Sequence, residues 1–299
     1  SIEEAIVQMY LAGVSVRRVE DITEALWGTR VSSGTVSKLN QKVYKHIERW
    51  RTQPIEAEFA YVYLDGLVLK RSWGGEVKNV SVLAAIGVDQ DGFRRMLGVA
   101  EGHKEDKAGW LGFLKHLKER GLQGVRLMIS DACLGLTEAI AEVFPDADWQ
   151  RCAVHFYRNV FSHVPNAKVR DVAAMLKAIH AQEDRKAAAE KMQAVIADLR
   201  AMKLAKAAEL LEESGHETLT YYGFPDSHWI KLRTNNPLGR IMRENRWRAR
   251  VVGECPDGQS CLKLAAARLR HIAGTQWSTR KYMNMTPLFA DQTQGAVVA

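Results

Sequence analysis

Residues 61–154 carry the pattern that most limits how this chain folds. Tyr61-Val-Tyr-Leu-Asp65-Gly-Leu-Val-Leu69 and Val80-Ser-Val-Leu-Ala-Ala-Ile-Gly-Val88 are apolar runs of strand length. Asp89-Gln-Asp-Gly92 is a turn signal and Met96-Leu-Gly-Val-Ala100 a third strand, so the three read as a meander. A helix is expected from about Asp106 to Arg120, with Trp110, Phe113, Leu114 and Leu117 on one face and Gly121 as its stop. Val125 to Asp131 then reads as a buried strand, Leu134 to Phe144 as a helix, and Trp149 to Val154 as a last strand. A meander followed by alternating helices and strands implies parallel pairing in its second half and helices covering the sheet.

That order is the order of the ribonuclease H-like α/β fold, in which the first and fourth strands are parallel neighbours. Asp65 lies inside the first strand and Asp131 at the end of the fourth, so the two carboxylates are expected to meet. An aspartate among aliphatic residues is costly to bury without compensation. Either one alone reads as a turn residue or a helix cap. Together they would repel, and divalent cations remove that repulsion. Two carboxylates holding Mg²⁺ suit in-line phosphoryl displacement.

The charge distribution points to a partner. The chain of 299 residues carries 42 Lys and Arg against 35 Asp and Glu. Residues 231–281 hold twelve basic side chains, nine of them Arg, against Glu244, Glu254 and Asp257. Arginine binds phosphate in a bidentate fork, so nucleic acid is the first candidate. Apolar residues at 46% and charged residues at 26% exclude wholesale disorder. No apolar run reaches the roughly 18 residues of a membrane-spanning helix. The opening Ser-Ile-Glu-Glu is no signal peptide, and the missing first Met suggests a fragment or processed product. Four cysteines without paired spacing suggest a reduced, cytosolic setting.

The flanks read as helical. Val16 to Trp27, a break at Gly28, and a serine-capped helix from Ser32 to about Trp50 form a helix-turn-helix pattern. It would bring Thr35, Ser37, Lys38 and Lys42 to a DNA groove. Residues 166–222 carry helical spacing throughout and read as an all-helical insertion. Thr234-Asn-Asn-Pro237 opens a helix expected to run through Arg250, and another spans Gly258 to Ile272. Cys152-x-x-His155 could be half of a zinc site, but no second half has a suitable spacing.

Several blocks then occur together: Tyr63-Leu-Asp65-Gly66, Ile129-Ser-Asp131, Trp149-Gln-Arg-Cys152-Ala-Val-His155, Arg233-Thr-Asn-Asn-Pro-Leu-Gly-Arg240, Arg250-Val-Val-Gly253 and Pro256-Asp-Gly258. With them the chain, from residue 1 to about Pro287, resembles the mutator-type transposases of bacterial insertion sequences, a DDE family. The resemblance implies a ribonuclease H-like catalytic domain interrupted by a helical insertion, and a further N-terminal segment in most members. It implies Asp65 and Asp131 as the first two acids and as ligands of Mg²⁺, with Mn²⁺ as a substitute. The third acid belongs in a Thr-Asn-x-x-x-Glu-Arg slot, where this sequence has Gly239. Glu244 lies about 140° further round a helix and does not replace it. Asn245 and Trp247 also depart from the pattern. Glycine costs up to ~1 kcal/mol inside a helix, so stability gives no reason for it.

The implied chemistry is cleavage at a transposon end followed by strand transfer from the freed 3′-OH. Arg240, Arg243, Arg246, Arg248 and Arg250 would contact DNA near the cut, and residues 15–50, with Lys38 and Lys42, would help to recognise the terminal repeats. Joining two ends implies a homodimer or larger assembly. Cys152, His155, Thr234 and Asn235 are family marks without an assigned role. The expected division is a DNA-binding region (1–54), the first part of the catalytic domain (55–162), an insertion (163–230), the second part (231–287) and a disordered tail (288–299). The expected location is the bacterial cytoplasm, at the nucleoid. Gly239 also admits a catalytically dead DNA-binding protein that represses or inhibits an active relative. A nuclease of the same fold with another substrate fits the Cys-x-x-His and Thr-Asn blocks less well.

Overall fold

The computed structural model describes residues 16–73, 76–102, 107–133, 135–243 and 258–295, together with Ala5, Ile6, Met9 and Val14. Two helices open it, α1 (Val16–Trp27) and α2 (Ser33–Thr52). Gly28, at φ 65°, ends the first. The Ser32 hydroxyl accepts the Thr35 N–H at 3.2 Å and caps the second.

Five strands follow: β1 (Phe59–Trp73), β2 (Glu76–Asp89), β3 (Arg94–Gly102), β4 (Leu127–Ser130) and β5 (Asp148–Arg151). They form one mixed sheet in the order β3-β2-β1-β4-β5. β1, β2 and β3 pair antiparallel as a meander, while β1 with β4 and β4 with β5 pair parallel. The first and fourth strands are thus the parallel neighbours that the alternation implied.

Helices cover both faces, because each strand buries alternate residues on opposite sides. Val62, Leu64, Leu83, Ala85 and Met128 pack under α3 (Lys107–Glu119) and α4 (Leu136–Val143). Tyr61, Tyr63, Ala84, Ile86 and Ile129 face a larger helical layer. That layer contains α5 (Ala153–Phe161), α6 (Val169–Ile179), α7 (Arg185–Ala201), α8 (Ala205–Ser214) and α9 (Asp226–Leu232). It continues with α10 (residues 236–243) and α11 (Gly258–Ala273), a short α12 (Gln276–Thr279), and α13 (Thr286–Gly295).

Three local expectations change. β1 and β2 run past the apolar residues that marked them, to the pairs Arg71↔Lys78 and Trp73↔Glu76, because hairpin pairing uses the backbone and tolerates polar side chains. The last strand stops at Arg151 and Ala153 begins a helix, instead of a strand reaching Val154. A short apolar run such as Cys-Ala-Val suits either state. The tail, expected to be disordered from residue 288, is helical to Gly295. Leu288 is buried, and its carbonyl accepts from the Arg126 guanidinium at 3.3 Å.

Candidate active site

The register of β1 against β4 builds the site. Tyr63 lies opposite Ile129, so Asp65 and Asp131, each two residues further on, reach the same level and the same face. Gly66 stays in the strand, opposite Leu83, so Asp65 starts no turn. The Gly66 N–H donates to Asp65 Oδ1 at 3.0 Å. Asp131 lies just beyond β4, and its Oδ1 accepts the Ala132 N–H at 2.8 Å. It caps no helix, since α4 begins after Gly135. The two aspartates line one cleft of about 680 Å³.

The Thr-Asn block is fastened beside them. Asn235 is buried; its Nδ2 donates to the Leu64 carbonyl at 2.7 Å, and its backbone N–H donates to Cys152 Sγ at 3.1 Å. The Ala153 N–H donates to the Arg233 carbonyl at 2.9 Å. Asn235 therefore ties the start of α10 both to the residue before Asp65 and to the start of α5. The Gly239 N–H donates to the Asn235 carbonyl, and Gly239 lines the cleft shared by the aspartates. Among the described residues, a Cβ on Gly239 would meet no atom within 4 Å, so this position is open space at the edge of the carboxylate cleft.

His155 comes from the first turn of α5, with Nδ1 at 4.0 Å from Asp131 Oδ2. Burial lowers its pKa, Asp131 opposes that, and Arg158 adds to it. Burial raises the Cys152 pKa, against backbone N–H donors that favour the thiolate. Three buried polar atoms on the cleft residues have no hydrogen-bond partner among the described residues: His155 Nδ1, Asn235 Oδ1 and Trp110 Nε1. Buried polar atoms are usually satisfied, so unmet ones concentrated in one cleft mark a place shaped for something else.

The structure brings Asp65, Asp131, Cys152, His155, Asn235, Gly239, Arg240 and Arg243 to this cleft. Thr234 lines a neighbouring one. Lys38 is exposed on α2 and does not line the carboxylate cleft. Arg246, Arg248, Arg250, Glu244, Asn245, Trp247 and the Lys42 side chain lie outside the described residues. Trp110 and Arg158 also line the cleft, which the sequence does not signal: helical spacing places Trp110 only on a buried helix face, and no spacing singles out Arg158.

Among the described residues, no three His, Cys, Asp or Glu side chains are grouped to hold a metal ion. Two carboxylates and an unmet amide oxygen on one cleft are nonetheless oxygen donors of the kind Mg²⁺ takes, with waters and substrate phosphate completing its shell. Asp65, Asp131 and the Asn235 amide are the residues that would hold a divalent cation here.

The family model described as "Transposase, Mutator family" matches residues 1–279. The chain is 35% identical over 281 residues to the transposase for insertion sequence element ISRM5 of Rhizobium meliloti, covering 94% of this chain and 70% of that protein. It is 36% identical to the transposase for IS1081 of Mycobacterium tuberculosis, covering 93% and 67%, and 37% identical to that for IS406 of Burkholderia multivorans, covering 95% and 73%. The chain belongs to the mutator family of transposases.

Proposed function

We propose that this chain carries the DNA-cleaving and strand-transferring site of an insertion-sequence transposase, with its third acid position vacant at Gly239. The observation that carries the reading is that Asp65, Asp131 and Gly239 line one cleft, and that a Cβ at 239 would meet no described atom within 4 Å. Asp65 and Asp131 would hold Mg²⁺ or Mn²⁺. When bound, such an ion polarises the phosphodiester and lowers the pKa of its water. Arg240 and Arg243, both exposed on α10, neutralise the phosphates beside the cut. Water displaces the 3′ oxygen at the transposon end, and the freed 3′-OH attacks a second phosphodiester.

The strand order β3-β2-β1-β4-β5, with its parallel β1–β4 pair, supports a ribonuclease H-like catalytic domain split by the helices of residues 163–230. The pair α1 and α2, with a glycine break and a serine cap, supports a helix-turn-helix region that reads transposon ends through Lys38 and Lys42. Such a protein works on nucleoid DNA in the bacterial cytoplasm as a homodimer, since two ends must be joined. Among the described residues no helix is long and apolar enough to cross a membrane.

The test is Mg²⁺-dependent cleavage of a labelled transposon-end duplex by this chain and by its Gly239→Glu variant. Cleavage by the Glu variant alone establishes a sound site disabled at one residue. Binding without cleavage in both removes the catalytic reading. It would then favour the second reading, a DNA-binding repressor or inhibitor, which the vacant slot at Gly239 already supports.

A further inference from the structure

The far side of α10 forms the wall of a second cleft, of about 550 Å³. Asn236 and Arg240 line both clefts. Arg94, Lys231, Arg240, Arg268 and His271 line the second one, and among the described residues no acidic side chain does. Its character is the opposite of the aspartate cleft beside it.

The cations are positioned, not merely near each other. The Arg94 guanidinium lies 4.7 Å from the ring centroids of both Trp277 and Tyr282. One of its terminal N–H groups donates to the Trp277 carbonyl at 3.0 Å, while its buried Nε has no partner among the described residues. The Lys231 ammonium donates to the Tyr282 carbonyl and sits 4.7 Å from the centre of that ring. Burial lowers the pKa of both side chains, and Arg94 lowers that of Lys231 further. Like charges held together in a partly desolvated cleft repel, and an anion entering it relieves that repulsion.

The ligand chemistry follows from what the aromatic rings already do. Trp277 and Tyr282 each pack against a cation, so they serve to hold charge in place. The cleft therefore suits phosphate more than a stacked base, and phosphate contacts fix register without reading sequence. We infer that the second cleft binds the phosphodiester backbone of a DNA strand, so that DNA engaged at Asp65 and Asp131 continues across α10 past Arg240. This rests on the transposase reading and adds Arg94, Lys231, Arg268 and His271 to its DNA contacts.

The test compares the full chain with a Lys231→Gln/Arg268→Gln variant and with a Lys186→Gln/Lys206→Gln control, both control positions being exposed on α7 and α8. Affinity for a labelled transposon-end duplex and for an unrelated duplex is measured across a potassium chloride series. Each phosphate contact contributes about 0.9 to the slope of log affinity against log salt, so loss of two lowers it by about 1.8. The expected result is that drop on both duplexes for the cleft variant and an unchanged slope for the control. A Lys231→Arg/Arg268→Lys variant, which keeps the charge, retains the wild-type slope. The inference is overturned if the cleft variant keeps that slope, if its loss is confined to one duplex, or if the charge-preserving variant loses as much. Wild-type protein that binds neither duplex overturns the transposase reading itself, an outcome distinct from the other three.

Discussion

Gln150, on the edge strand β5, and Asn235, which bonds to the central strand β1, are both buried amides, and they are treated in opposite ways. Gln150 has every need met: its Nε2 donates to the carbonyls of Arg151 and Thr218, and its Oε1 accepts the Tyr221 N–H. Asn235 donates to Leu64 but its Oδ1 has no partner. Two histidines repeat the contrast. His180, under the insertion, has Thr218 and Tyr221 hydroxyls within 3.4 Å of its ring nitrogens, whereas His155 Nδ1 in the cleft has no hydrogen bond. A satisfied polar group fixes the packing of the helical layer. An unmet one at the aspartate cleft is left for substrate, water or a cation.

That contrast can be sharpened or broken. The largest effect lies in the cleft: Gly239→Glu is expected to raise end cleavage at least about a thousandfold, equivalent to ~4 kcal/mol of transition-state stabilisation. Adding Asp65→Asn to it should return cleavage to the starting level while DNA binding persists. On the packed side, Gln150→Leu strands the Tyr221 N–H and two carbonyls and should cost ~3 kcal/mol in urea unfolding.

His180 should give a pH signature of similar size. Burial depresses its pKa to about 4, from 6.5. Between those values the unfolded chain binds a proton that the folded chain refuses. The contribution is therefore complete above pH 6.5 and is lost as pH falls toward 4, by up to ~3 kcal/mol. Unfolding of wild type and His180→Gln across that window should differ in pH slope by this amount. Asn235→Leu is the smallest, near ~1 kcal/mol, because it forfeits one hydrogen bond and removes an oxygen that was unmet. If Asn235→Leu destabilises as much as Gln150→Leu, the distinction between the two regions fails.

The order of the sheet was legible because turn residues such as Asp89-Gln-Asp-Gly92 punctuate apolar runs of strand length. The convergence of Asp65 and Asp131 followed from that order. The ends of elements were less legible. Nothing in Cys152-Ala-Val says that the backbone turns helical at Ala153, a choice made by the Ala153 N–H bonding to Arg233, distant in sequence. Asn235 stood out within its block, but its task, holding α10 to the Leu64 carbonyl, is a contact across 171 residues. The second cleft was half visible: Lys231 and Arg268 belong to the basic segment, while Arg94 lies far from it in sequence, at the start of β3.

The empty surroundings of Gly239 bear on how such a chain changes over generations. Since a Cβ there would meet no described atom within 4 Å, and glycine is a poor helix former, packing gives no reason to keep the glycine. Glycine and glutamate codons can differ by a single base. If the proposed role of this position is right, a copy carrying glycine here keeps its scaffold, and one base change would separate a dormant element from a mobile one.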